Sequence, residues 1–506
     1  MSKLFARKSI AELTAEPGAG SGLQRVLGPW QLTALGIGAI IGAGIFSTTG
    51  TAIAGGENHV GAGPALMLSY VLVAITCGFA ALCYAEFAAM IPQSGSAYTY
   101  AYATLGELIA WIIGWDLIIE YAVGNVAVAV SWSGYFQELL RGFGIAIPEW
   151  LATDYRTAFQ GAAQVRDAVA QGIDPATLGA HVMQAADAAN SAPSLFGVPI
   201  ILNLPAAGIV ALITIVLVRG VKESAWFNSL MVLLKVAMLL VFMAIGIRYV
   251  RPENWQPFAP NGFQGVWTGA SLIFFAYIGF DAVSTAAEES RNPKRDMPFA
   301  IITSLLVTSV LYIIVTAVLT GMVPWHRLGT AEPLATAFGE RGLNIAAGII
   351  SFGAVIATTS VLLVFQLGQP RIFYAMARDG LLPPWAAKVH PKYHTPHVTT
   401  IITGVFVAVF ASLANINEVV ELTNIGTLFA FVLVAAGILV LRRTDPDRPR
   451  PFRTPLVPLV PVLAIISCVW LMAGLPWITW VRFGIWLLIG VAIYFLYGRK
   501  HSRLRG

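Results

Sequence analysis

Charge is what this chain has least of. Only 11% of its 506 residues are Asp, Glu, Lys or Arg, against about a quarter in an ordinary soluble domain. Disordered and coiled-coil chains depend on abundant charge, so neither class fits. Cysteine is scarce as well. Cys77, Cys83 and Cys468 all fall inside apolar stretches, which leaves nothing to build a disulfide framework or a zinc ribbon from. Walker, HExxH, nucleophile-elbow and protein-kinase signatures are missing, and with them any basis for an ATP-driven pump or those enzyme classes. His390, His394 and His397 sit in a proline-broken run without an acid or cysteine between them. That run reads as a solvated loop, and neither a metal nor a cofactor is expected. Residues 1–30 are polar and basic without the apolar core of a signal peptide, so they are expected to stay in the cytoplasm.

What the chain does have is apolar length. Apolar side chains make up 57% of it, and the mean hydropathy is +0.73. A helix needs about 20 apolar residues to cross roughly 30 Å of hydrocarbon. Twelve stretches qualify: 31–55, 64–91, 105–140, 199–218, 225–249, 265–288, 298–323, 342–369, 398–414, 419–441, 456–475 and 477–497. They do not alternate residue by residue, which excludes an outer-membrane barrel. The expected fold is therefore all-α and membrane-embedded. With the N-terminus inside, the cytoplasmic face collects 22 Lys and Arg and the outer face eight, so both termini are placed in the cytoplasm. Basic residues confined to short loops give no nucleic-acid surface; lipid is the surrounding partner. One long outer loop, 141–198, contains a stretch (154–190) that reads as one or two exposed helices.

Two segments contain what a membrane helix avoids. Segment 1 reads Gly36-Ile37-Gly38-Ala39-Ile40-Ile41-Gly42-Ala43-Gly44-Ile45-Phe46-Ser47-Thr48. Each interior glycine weakens a helix by about 1 kcal/mol relative to alanine, so unwinding is predicted at Gly42-Ala43-Gly44. Segment 6 reads Phe274-Phe275-Ala276-Tyr277-Ile278-Gly279-Phe280-Asp281-Ala282. Taken alone, Gly38 and Gly42 have the spacing of a small-residue packing face. A second break five segments later favours two inverted five-helix repeats with substrate held between interrupted helices. Free N–H groups at Ala43, Gly44 and Ile45 suit a carboxylate. Free carbonyls at the end of the inner half and around 275–278 suit an ammonium. Together they fit the zwitterionic head of an amino acid.

Ionisable residues at membrane depth are few. Lys235 lies ten residues into segment 5, about 15 Å deep at the helical rise, where a charge costs about 2.5–3.5 kcal/mol. It is expected to exchange a proton and hold segment 1 with its ammonium; a fixed salt bridge is the plainer alternative. Asp116 and Glu120 stand four apart on segment 3 and share a face. Glu120 and Asp281 are placed in the pocket, Asp116 in hydrogen bonds between helices, and Glu86 at a gate or structural contact.

Three stretches carry a family resemblance: residues 38–46 and 274–283, already quoted in part, and Pro92-Gln93-Ser94-Gly95-Ser96-Ala97-Tyr98. Over about residues 25–497 the chain resembles the amino acid–polyamine–organocation superfamily, and within it the bacterial members of the cationic amino acid transporter family. The resemblance implies a LeuT-like fold of twelve helices: a five-helix repeat over 31–249, its inverted copy over 265–441, two further helices over 456–497, and a cytoplasmic tail at 498–506. It implies proton-coupled uptake of L-amino acids by alternating access across a bacterial inner membrane. In such proteins the positions matching Ile41, Gly42, Ala43, Gly44 and Ile45 hold the substrate carboxylate and amine. Phe275 would cover the site as an aromatic gate, and Ala276 and Ile278 would offer carbonyls. Lys235 would replace the sodium of related transporters, with the proton as coupling ion, and Glu120 and Asp281 would meet cationic side chains. An exchanger or exporter of the same fold, for amino acids or polyamines, and a non-transporting nutrient sensor are the alternatives. A small single-span partner and a homo-oligomer are both left open.

Overall fold

Pro29 in the first turn, and a Gln31 side chain accepting from the Gly28 N–H at 2.6 Å, start the first helix, α1 (Pro29–Ile40). The computed structural model describes residues 6–8, 27–56, 59–91, 96–178, 180–220 and 225–504. The rest of the N-terminal segment, 92–95 of the loop motif, Lys222 and Arg505 lie outside the described residues. After α1 the chain is extended at Ile41 and re-forms as a π turn, Gly44–Thr48, leading into α2 (Thr49–Ala54). There follow α3 (Leu66–Met90), the short α4 (Ser96–Thr104), and a long helix made of α5 (Glu107–Ile118), a π turn (Ile119–Val123) and α6 (Gly124–Gly142).

The long loop holds α7 (Tyr155–Ala170), α8 (Ala180–Ser191) and a small hairpin of β1 (Ser194–Leu195) with β2 (Val198–Pro199). This matches the reading of one or two exposed helices. Asp154 caps α7 by accepting from the Thr157 N–H at 2.9 Å. Next come α9 (Leu204–Arg219), α10 (Ala225–Gly246) and α11 (Gly262–Ile273). The second half contains α12 (Pro293–Met322), α13 (Pro333–Gly339), α14 (Asn344–Arg378), α15 (His397–Leu413), α16 (Ile416–Thr444), α17 (Leu459–Ala473), α18 (Trp477–Ile493) and α19 (Arg499–His501).

Several details differ from the expectation, among them the start of segment 7 at Pro293 instead of 298. Segment 4 begins at Leu204, not 199, because Val198–Pro199 is strand and the Asn203 side chain caps the helix by accepting from the Ala206 N–H at 3.2 Å. Segment 8 continues to Arg378, nine residues past its expected end, since Ala375, Met376, Ala377 and Arg378 are strong helix formers. The inner half of segment 6 is 3₁₀ throughout, over Asp281–Glu289.

Among the described residues nine helices are long and apolar enough to cross a membrane, and three more (α9, α15, α17) are apolar but shorter. The two interrupted helices are the most enclosed of the nine: 83% of the apolar window in Pro29–Ala54 and 94% of that in Gly262–Ser284 are buried. Irregular backbone in a membrane protein survives only where protein surrounds it, and these two helices occupy that place. α12 lies along both α1 and α3, α14 along α6, and α16 along α17.

Residues 6–8 and 501–503 meet at one end of the molecule. The Glu107 N–H donates to the Ala6 carbonyl at 3.0 Å and the Arg503 N–H to the Asp379 carbonyl at 3.1 Å, and the Ser502 hydroxyl donates to the Glu107 carboxylate. Glu86 resolves as a structural contact. Fully buried on α3, it accepts from Arg442 Nη2 at 2.8 Å, Arg442 Nε at 3.1 Å and the Thr454 N–H at 2.7 Å, with Arg450 Nε at 3.2 Å. This cluster joins α3 to α16 and to the chain that enters α17. Removing one partner strands buried charge, so Glu86→Ala is expected to destabilise the protein by about 3–5 kcal/mol. Loss of folded protein on heating in detergent, against wild type and Glu86→Gln, measures it.

Candidate functional site

The two breaks touch each other. A Cβ placed on Gly44 would lie 2.2 Å from Ala276 Cα and 2.8 Å from its nitrogen, so at this point the backbones of segments 1 and 6 are in direct contact. Segment 6 passes from α11 into a 3₁₀ turn, Phe274–Tyr277, then an extended Ile278 and Gly279 at φ +119°. That φ suits glycine alone, and a Cβ there would also meet the Ala39 carbonyl at 2.8 Å. The fit between the two unwound stretches is thus made by absent side chains on both.

The backbone groups released by the breaks have identifiable places. The N–H groups of Ala43, Gly44 and Ile45 head the outer half as the unpaired donors of a helix start; the Phe46 N–H is the first to turn back, on Gly42 O at 3.3 Å. At the end of α1, Gly38 O accepts from Lys235 Nζ at 2.6 Å, and Ile40 O from the Tyr312 hydroxyl at 3.0 Å. Gly44 O is taken by Thr48 Oγ1 at 2.7 Å and Thr49 Oγ1 at 3.2 Å. The Phe275 carbonyl, expected to be free, accepts weakly from the Ile278 N–H at 3.4 Å. Ile41, Ala43, Ile45, Phe275, Ala276 and Ile278 are all buried, and Gly42 faces Val361 of α14, whose Cγ2 would stand 2.9 Å from an added Cβ.

Lys235 is buried on α10, and its bond is to a peptide carbonyl rather than to the acid of the plainer alternative. An ammonium there also sits at the negative end of the α1 dipole. Glu120 lies in the π turn of segment 3 and Asp281 at the start of the inner 3₁₀ helix, close enough for each to feel the other's charge, with Thr427 beside Glu120. Asp116 departs from expectation. It makes no hydrogen bond to a neighbouring helix, because its Oδ1 faces Gly426, which offers no side-chain donor.

Sequence reasoning missed a cluster of tyrosines. Tyr70, Tyr277 and Tyr312 stand with ring centroids 5.5–6.1 Å apart. The Tyr70 and Thr49 hydroxyls bond at 2.7 Å, Thr49 reaches Gly44 O, and the Tyr277 hydroxyl donates to Tyr70 O at 3.1 Å. With Tyr312 on Ile40 O, the cluster spans both sides of the break in segment 1. The available signal was phenol groups in apolar runs, since a buried Tyr hydroxyl needs a partner.

The outer half is tied down separately. The Tyr135 hydroxyl donates to Phe46 O at 2.5 Å, and Ser47 bonds both Ser131 and the Ala331 carbonyl. Beside Ala331, half-buried Glu332 sits over Gly134 of α6, and burial pushes its carboxyl up to about 7, with Glu138 acting in the same direction and Arg141 opposing.

The pattern of a family described as amino acid permease matches residues 27–498. The chain is 48% identical to the branched-chain amino acid permease BcaP of Bacillus subtilis (strain 168) over 99% of both chains. It is 45% identical to the methylthioribose transporter of the same organism, over the whole of both chains. To human cationic amino acid transporter 4 it is 31% identical, over 99% of this chain and 91% of that protein.

Two outcomes follow. Gly44→Ala drives a methyl into the Ala276 backbone, so it is expected to cost about 1–3 kcal/mol and to abolish ligand-induced thermal stabilisation while the folded protein remains purifiable. Glu332 binds its proton more tightly folded than unfolded. Its contribution to stability is therefore greatest below its ordinary value of 4.5 and falls as pH rises towards about 7. Glu332→Gln is expected to flatten that part of the profile in unfolding curves between pH 4 and 8.

Proposed function

The chain belongs to the amino acid permease family of the amino acid–polyamine–organocation superfamily, and from that premise we propose that it is a proton-coupled amino acid transporter working by alternating access. In this reading it has twelve spans, α9, α15 and α17 included, arranged as two inverted five-helix repeats (31–249 and 265–441) followed by two more helices (456–497). It resides in a bacterial inner membrane with both termini cytoplasmic.

The observation that carries the proposal is the contact between two unwound helices with donors at Ala43–Ile45 on one side and carbonyl ends on the other. A helix N-terminus favours an anion and a helix C-terminus a cation. An α-amino acid presents both charges on one carbon; methylthioribose, the substrate in the name of one relative, presents neither as a zwitterion. Ile41, Gly42, Ala43, Gly44 and Ile45 hold the carboxylate and amine, Ala276 and Ile278 offer carbonyls, and Phe275 closes over the ligand. Val361 and the apolar neighbours of the break suit a branched or small neutral side chain, in keeping with the branched-chain permease among the relatives. The Glu120–Asp281 pair is where a cationic side chain would be met.

Coupling is assigned to Lys235. Protonated, it holds Gly38 O by a charge-assisted bond worth about 1.5–3 kcal/mol and keeps the inner half of segment 1 seated. Once the proton leaves towards the cytoplasm, that hold weakens, and segments 1, 2, 6 and 7 rock to release the ligand inward.

The test is uptake in proteoliposomes with an imposed pH gradient. Lys235→Gln is expected to lower gradient-driven uptake about tenfold or more while leaving exchange of preloaded substrate. Full gradient-driven uptake by the variant would overturn the coupling role. A competition panel of the twenty amino acids, with methylthioribose beside them, tests the zwitterion requirement. Competition by methylthioribose alone would overturn it.

A further inference from the structure

The long loop between segments 3 and 4 carries a feature that transport does not use. β1 and β2 pair with Leu195 opposite Val198 and Ser194 opposite Pro199. The two turn residues between them, Phe196 and Gly197, have φ of +52° and +80°. Such a tight two-residue turn holds its side chains in fixed directions. Phe196 is 98% exposed, the most exposed large apolar side chain described, and Leu195 and Val198 beside it are 58% and 61% exposed. Because Leu195 and Val198 are cross-strand partners, they share one face of the ribbon and form a continuous apolar tip.

What covers this tip follows from lengths and charge. α9 has 16 residues and the neighbouring α15 has 17, so each spans only about 24–26 Å of a hydrocarbon layer about 30 Å thick. The two helices pack together, and the base of the hairpin is fastened where the start of α9 meets the end of α15: the Asn203 N–H donates to Ser412 O at 2.9 Å. Exposed Phe410 and Leu413 on α15 and exposed Leu204 on α9 continue the apolar surface towards it. Residues 188–218 contain no charged side chain, whereas α7, α8 and the turn between them carry Arg156, Arg166, Asp167, Asp174 and Asp187. A charge-free aromatic hairpin beside two short helices matches the chemistry of the lipid interface, where aromatic rings concentrate.

We propose that the hairpin tip, residues 195–198, lies in the lipid leaflet on the long-loop side and completes the apolar belt that α9 and α15 leave short. The tip thereby anchors the loop domain at the bilayer surface. This rests on the membrane reading of the fold and is independent of which ligand is carried, so it stands or falls separately from transport.

The experiment uses the full chain in phosphatidylethanolamine–phosphatidylglycerol vesicles. Spin label is placed at Phe196→Cys or, should that change disturb the turn, at Leu195→Cys, with Gln171→Cys as a reference on the solvated part of the loop. Cys77, Cys83 and Cys468 are all buried, and unsubstituted protein controls for their labelling. The label at 196 or 195 is expected to collide several-fold more with oxygen, and several-fold less with a water-soluble nickel chelate, than the label at 171. Equal collision with nickel at both places would put the tip in water and overturn the proposal. Low collision with both reagents would put it against protein, a partner or a second copy of the chain, and would overturn it equally.

Discussion

The structure depends on one constraint: peptide groups that leave a helix inside a membrane protein find no partner in lipid and must be met by the protein or at a polar cavity. Segment 1 leaves its helix at Ile41. The neighbours that make this tolerable are specific. Lys235 and Tyr312 take the carbonyls that α1 leaves open, Thr48 and Thr49 take the carbonyl of Gly44, and Tyr135 takes that of Phe46. Among the described residues no side chain takes the donors that head the outer half, Ala43 to Ile45. In the proposed site these donors are the groups that meet a ligand carboxylate, while the amine is left to the carbonyls of segment 6.

Glycine makes the meeting of the two breaks possible, but it acts in two different ways. Gly44 is required by proximity, because Ala276 occupies the space a side chain would need. Gly279 is required by conformation as well, since its φ of +119° is closed to other residues. Segment 1 thus places its close approach just past its break, and segment 6 changes winding at Ile278–Gly279. The inner half of segment 6 never recovers α geometry. Its 3₁₀ stretch, Asp281–Glu289, brings Asp281 beside Glu120, which itself sits in a π turn. The two carboxyls therefore meet where both of their helices depart from regular winding.

Much of this was legible in the residues. Low charge and long apolar runs identify a membrane-embedded helical chain, and the glycine pattern points to a break in segment 1, although the chain leaves the helix at Ile41–Gly42 and is helical again from Ala43, one or two residues earlier than the glycines alone suggest. Lys235 was conspicuous because a lysine at membrane depth is costly and points either to proton exchange or to a salt bridge. What was not legible was the identity of partners contributed from far along the chain. Nothing near Tyr312 in sequence points to Ile40 O, and nothing near Asp116 announces that Gly426 faces it without a donor. The start of α9 was misplaced for a related reason: 199–203 is as apolar as the helix that follows, and only the strand pairing and the Asn203 cap separate them.

The hydrogen bonds to segment 1 fall into two sets, and the division bears on how a proton could drive movement. Tyr70, Tyr277 and Tyr312 come from segments 2, 6 and 7, the elements that move with segment 1 in the proposed cycle. Their bonds across the break therefore persist and keep the two halves in register. Lys235, Tyr135, Ser131 and Ala331 come from elements that stay behind, so their bonds have to break and re-form. Of this second set, the hydroxyl and carbonyl partners bond with the same strength at any pH in the working range. The lysine alone exchanges a charge-assisted bond for a neutral one when a proton is lost. It acts on the inner half of segment 1, whereas the neutral bonds act on the outer half. In the proposed cycle a change of protonation at that single position would bias one end of the helix and leave the other unaltered, which is the asymmetry that alternate opening of two sides demands.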